Sequence, residues 1–254
     1  MESLRTWAYG VGGVATLLLF WMVNPWVAVP DGLQPIVTVA FWILAIALVV
    51  ILYQEARRAP DSDEVQIEGP AFARFLFNNR AAGLVWLPIR LFVGFEWLEA
   101  GWHKATGGGW LDGGGAALAG FWKSAAAVPD QGRPPITYEW YRDFINFLLN
   151  GHHEAWFAWL IAFGETAVGI GLLVGALVGV AAFFGALMNM SFLLAGSASS
   201  NPVLFSMAIG LMLAWKVAGY YGLDRYLLPM LGTPWRAKVD TGRPGYAAPN
   251  PSPS

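Results

Sequence analysis

Glu96, Glu99 and His103 follow one another at the spacing i, i+3, i+7. At 100° per residue they line one face of a helix. Three groups of acid or base character on one face can relay a proton, hold a polar headgroup or ligate a metal. The metal is the weakest case. The Glu-x-x-His pair of di-metal carboxylate bundles is missing, and His152 and His153 fall in a surface loop, so no metal ligand set is assigned. The segment that carries the stripe, Gly83 to Trp102, otherwise reads as a membrane span. A charge at bilayer depth costs about 2.5–3.5 kcal/mol on insertion scales. Groups placed there need partners on neighbouring helices.

Arg90 lies roughly 9 Å before Glu96 along the same helix and points elsewhere around it, so its partner is expected on another segment. Three residues can answer. Glu165 sits in Phe163-Gly-Glu-Thr-Ala-Val-Gly-Ile-Gly171, Asn189 between two methionines, and Lys216 beside Trp215. The expected network is an Arg90–Glu165 ion pair, with Glu96 or Glu99 left for Lys216, Asn189 or a ligand. The candidate catalytic groups are therefore Glu96, Glu99, His103 and Glu165. The candidate ligand-binding groups are Arg90, Asn189, Trp215 and Lys216. The plainer reading of Arg90–Glu165 is an ion pair that fixes helix register.

Composition defines the medium in which these groups work. The chain has 254 residues, 56% hydrophobic and 13% charged, and 14 of them are Trp. A soluble domain has about 25% charged residues. Mean hydropathy is +0.49. The net charge of −2 offers no basic footprint for nucleic acid. There is no Cys, which excludes disulfides, thiolate-bound iron–sulfur clusters and a Cys nucleophile. Neither haem nor an iron–sulfur cluster is expected in this chain, so any electrons must travel on an organic cofactor or a partner subunit.

Six segments have the length and apolarity of spans: Trp7 to Trp26, Leu33 to Tyr53, Gly83 to Trp102, two within Trp156 to Gly196 with a turn near Gly175–Gly179, and Pro202 to Tyr221. The first is expected to be retained rather than cleaved as a signal peptide. A polar linker runs from Ala59 to Asn79. Between the third and fourth spans, Gly107 to Gly115 is flexible, Ala116 to Val128 is helical, and Tyr138 to Leu149 is an amphipathic helix with Trp140, Phe144, Phe147 and Leu148 on one face. The tail from Gly242 to Ser254 is low in complexity and expected to be disordered. With both termini cytoplasmic, nine Lys and Arg fall inside and four outside. The small residues Gly164, Gly171, Gly175 and Gly179 at helical spacing are read as packing positions.

The run Arg90-x3-Gly94-x6-Gly101-x2-Lys104, the run Gly164-Glu165-x3-Gly169-x-Gly171-Leu-Leu-Val-Gly175 and the run Ala214-Trp-Lys-Val-Ala-Gly-Tyr-Tyr-Gly-Leu-Asp-Arg225 resemble the DoxX/DoxD-like membrane protein family over about residues 80–235. The resemblance implies an all-α integral membrane protein with a four-helix core. The organisation expected is two N-terminal spans over 1–58, a cytoplasmic linker over 59–82, the core over 83–222 with an external segment at 103–154, and a cytoplasmic tail over 223–254. The DoxD subunit of thiosulfate:quinone oxidoreductase, a member of that family, works with a second subunit. The resemblance therefore implies quinone as cofactor and another redox or membrane subunit as partner, besides membrane lipid, in the cell inner membrane. Glu96 and Glu99 lie outside the family pattern, and no thiol is present to handle sulfur. Three functions stay open: a quinone-binding, proton-relaying membrane subunit, a non-catalytic structural or assembly subunit, and a small-molecule or lipid transporter, the last weakened by the lack of an inverted repeat.

Overall fold

The computed structural model describes residues 2–23, 29–30, 32–58 and 69–233. Among them the chain is all-helical, with no strand. In order come α1 (Glu2–Val23), α2 (Gln34–Arg58), α3 (Ala71–Asn78), a single 3-10 turn (Arg80–Ala82), α4 (Gly83–Thr106), α5 (Ala116–Ala126), α6 (Glu139–Asn150), α7 (Glu154–Val174), α8 (Val178–Leu194), α9 (Asn201–Leu213), α10 (Trp215–Ala218) and α11 (Asp224–Met230). Three stretches are long and apolar enough to cross a membrane: Gln34–Gln54, Arg80–Thr106 and Glu154–Val174. Thr6–Met22, Val178–Leu194 and Asn201–Leu213 are shorter apolar helices.

The chain divides into two compact units. One comprises Met1–Ala71, Gly107–Leu160 and Asn189–Pro202. Its α1 and α2 lie side by side, and the small residues Ala8, Gly12 and Ala15 repeat at helical spacing along α1. Ala8 and Ala15 are buried and Gly12 meets Leu48, so the stripe brings the two helices together where lipid gives no hydrophobic drive. The segment after Gly107 is folded rather than loose. Asp112 accepts a hydrogen bond from the Gly109 amide at 2.7 Å, and α5 and α6 pack through Leu118, Trp122, Tyr141, Ile145 and Leu148. The Tyr141 hydroxyl donates to the Ser191 carbonyl at 2.8 Å. On α6 the buried face is thus Tyr141, Ile145 and Leu148, whereas Phe144 and Phe147 stay exposed. This corrects the single apolar face expected from the sequence. The helix carries two apolar stripes, which a simple apolar/polar split merges.

The other unit comprises Phe72–Thr106, Ile161–Met188 and Val203–Ser254. Here α4 crosses the Ile161–Val174 part of α7 at backbone contact. A Cβ on Gly101 would come within 2.6 Å of the Thr166 amide nitrogen, and one on Gly169 within 2.5 Å of the Leu98 nitrogen. No larger residue fits either place without separating the helices. The turn after α7 is at Gly175, as expected, with φ +69°. Two of the expected segments are more structured than a linker and a single continuous helix. The supposed linker contains α3, which is anchored by the Trp86 indole donating to the Leu76 carbonyl at 2.8 Å. The supposed sixth span is broken at Ala214 into α9 and α10. The end of the expected first span, residues 59–68 of the linker and the low-complexity tail lie outside the described residues.

Candidate functional site

Two buried polar clusters organise the second unit, and neither is the expected stripe. The first joins α4 to α7. Gly94, Gly101 and Lys104 fall on one face of α4, and Ala162, Glu165, Thr166 and Gly169 on one face of α7. The close glycine crossing brings these faces together. Lys104 Nζ lies 2.7 Å from Glu165 Oε2 and 3.5 Å from the Ala100 carbonyl. The Cα–Cβ bond of a helical residue tilts toward the helix N-terminus, which lets Lys104 reach back one turn. The Glu165 side chain is fully buried and that of Lys104 is 19% exposed. Glu165 Oε1 is buried with no hydrogen-bond partner, and so is the indole nitrogen of Trp97.

The second cluster ties α4 to the turn before α8 and the turn after α10. Arg90 Nη2 donates to the Tyr221 carbonyl at 3.2 Å, and Nη1 approaches the Ala218 carbonyl at 3.5 Å. The guanidinium lies against Gly175 and Gly222, where a Cβ would collide with Nη1. Asp224 accepts hydrogen bonds from the Leu177 amide at 2.5 Å and the Val178 amide at 2.9 Å. It therefore caps the N-terminus of α8 from 46 residues away along the chain. The Asp224 amide in turn donates to the Gly175 carbonyl at 2.7 Å. Burial pushes the Asp224 carboxyl above the ordinary range, opposed by the two amides and by Arg90.

The expected Arg90–Glu165 pair is therefore not formed. Arg90 and Lys104 are about 21 Å apart along α4, and Glu165 lies level with the later of the two. Depth estimated from distance along each span placed Glu165 too near the start of α4. The partner of Glu165 is Lys104, at the end of α4. Its signal was present: Gly101-x2-Lys104 and Glu165-x3-Gly169 put both charges on the glycine faces by which helices approach. Asp224 carries no signal in the sequence, because a cap supplied from a distant turn leaves no local pattern.

The other expected residues are dispersed. Glu96 is half-buried. Glu99 and His103 are exposed, 3.7 Å apart. Lys216 is exposed, with its ammonium 5.9 Å from the Trp215 ring centroid. Asn189, in the first unit, is fully buried and neither of its side-chain polar atoms has a partner. Among the described residues no group of three or more acidic or histidine side chains converges as metal ligands would.

Taken together, these features define an all-helical protein whose long apolar helices hold an interior ion pair with one carboxylate oxygen left open. Comparison with family models, with curated proteins and with solved structures finds no match.

Proposed function

We propose that this chain is a six-span protein of the inner (cytoplasmic) membrane with both termini cytoplasmic, related to the DoxX/DoxD-like proteins, and that it is the membrane subunit of a quinone-linked oxidoreductase. Besides the three long helices, α1, α8 and the broken α9–α10 pair supply three further apolar segments. At 1.5 Å per residue each of these covers roughly 26 Å or more, close to the ~30 Å hydrocarbon core.

The observation that carries the functional reading is Glu165. An ion pair kept only as scaffold gains most when all its polar atoms are satisfied. Glu165 instead has one oxygen held by Lys104 and the other buried without a partner. The unpartnered Trp97 indole N–H adds a donor in the same unit. An open acceptor and an open donor match a quinol hydroxyl and a quinone carbonyl. Bound quinone would supply the electron and proton acceptance that a chain without Cys lacks. In this reading Glu165 Oε1 accepts a hydrogen bond from a quinol hydroxyl, Lys104 fixes the carboxylate and balances its charge, and the Trp97 indole N–H donates to a ring oxygen and orients the ring. Glu99 and His103, exposed and 3.7 Å apart near the Lys104 end of α4, then lead a proton to the surface.

The test is the quinone content of full-length protein purified from membranes in mild detergent. Glu165→Gln and Trp97→Phe should each lower it about tenfold, the equivalent of ~1.4 kcal/mol, with helix content unchanged. Wild-type quinone content in both variants would overturn the reading. A second reading, a non-catalytic assembly subunit, is favoured by the exposure of Trp102, Glu99 and His103 on α4 and by α2, whose most apolar window is only 6% buried. Stoichiometric co-purification of another membrane subunit, lost on His103→Ala with quinone retained, would favour it.

A further inference from the structure

In the first unit, α1, α2 and α6 surround a cavity of about 880 Å³. Small-molecule sites typically occupy about 300–1,000 Å³. Each helix gives one stripe to the wall. On α6, Trp140, Asp143, Phe144 and Phe147 fall at i, i+3, i+4 and i+7, so this is the second apolar stripe of that helix, the one not used for packing on α5. On α2, Phe41 and Trp42 face the cavity, with ring centroids 5.3 Å apart in an edge-to-face contact. α1 adds Leu19 and Met22.

Among the described residues the wall holds three polar side chains, Gln34, Thr38 and Asp143, and of these only Asp143 carries a charge. Thr38 spends its hydroxyl proton on the Gln34 carbonyl at 2.9 Å, so it faces the cavity as an acceptor. A carboxylate among aromatic faces, with no cation among the described lining residues, is the chemistry that recognises an ammonium group. The remainder, Leu19, Met22 and Val39, is aliphatic and suits a hydrocarbon chain. The outward faces of the same helices are apolar too: Leu17, Phe20, Ile36 and Ile43 are all exposed. Such a cavity fills from a bilayer rather than from water.

We propose that this cavity binds a phospholipid with an ammonium headgroup, its nitrogen at Asp143 beside Trp140 and Phe144 and its acyl chain along Leu19, Met22 and Val39. The site is separate from Glu165 and does not depend on quinone.

Delipidated full-length protein is titrated with phosphatidylethanolamine, phosphatidylglycerol of the same chains, and dodecylamine, and bound species are counted by native mass spectrometry. Phosphatidylethanolamine should bind stoichiometrically and about tenfold more tightly than phosphatidylglycerol. Asp143→Asn should remove that preference. Glu139→Gln, on the same helix outside the cavity, should keep it. Asp143 is exposed, so its variant is expected to fold, and circular dichroism verifies this. Equal binding of the two lipids, or a preference that survives Asp143→Asn, would overturn the proposal. Binding of dodecylamine without phosphatidylethanolamine would overturn the lipid as occupant.

Discussion

At the residue scale the two interior clusters have different energetics. Lys104–Glu165 is a pair whose members cannot be removed singly. Lys104→Met leaves a buried carboxylate without its cation and should destabilise the protein by about 3–5 kcal/mol. The double variant Lys104→Met, Glu165→Leu should recover most of that loss, because an apolar replacement of a buried pair is often neutral. Denaturant titration in detergent micelles, run as a double-mutant cycle, checks both values. If the single and double variants were equally unstable, the pair would not be coupled. Arg90 is held differently, by two carbonyls and two glycines. Gly175→Ala adds a Cβ at φ +69° that collides with the guanidinium. The backbone conformation alone costs on the order of 1–3 kcal/mol. The same Gly→Ala change at Gly120, inside α5 with nothing within 4 Å of a new Cβ, should instead stabilise by about 0.5–1 kcal/mol. The contrast in thermal midpoint between the two variants tests the geometry rather than the residue type.

At the element scale, the α4–α7 crossing sets the Lys104–Glu165 distance. Gly169→Val should therefore weaken the ion pair without touching either charge. It is expected to lower the thermal midpoint and to cost more than Gly120→Ala gains, since Gly169 meets the Leu98 backbone. Asp224 acts on an element rather than on a single neighbour. Asp224→Ala exposes the first amides of α8 to an apolar surrounding and should cost about 1–2 kcal/mol, with hydrogen exchange rising first at Leu177 and Val178. Exchange that rose uniformly along the chain would place Asp224 outside the α8 cap. Helix α6 illustrates why elements are harder to read than their existence. Its extent is legible in the sequence: Tyr138 to Leu149 is expected and Glu139–Asn150 is found. The face it buries is not legible, because Tyr141 and Ile145 turn toward α5 while the larger aromatics line a cavity.

At the scale of the whole molecule, the six-span reading predicts a definite sidedness. A periplasm-active reporter inserted within 107–115 should be active and a cytoplasm-active reporter fused after residue 233 should fluoresce, and the reverse pattern would reject the proposed orientation. The sequence by itself determined that the chain is helical and apolar, roughly where its long helices lie, and that a few charges lie within apolar segments. These are local properties, written in hydropathy, in glycine and proline punctuation and in a 3.6-residue period. It also marked Glu165, Lys104 and Arg90 as residues on glycine-lined faces. Only the tertiary structure decided which charge meets which. Pairing depends on the relative depth of two helices and on where each crossing lies, and Arg90 and Lys104, about 21 Å apart along α4, are alternatives that only this depth distinguishes. That is why Arg90 went to backbone carbonyls, Glu165 to Lys104, and the aligned stripe of Glu96, Glu99 and His103 to a surface. A helical period fixes which residues share a face, but the packing of neighbouring helices decides whether that face is turned inward.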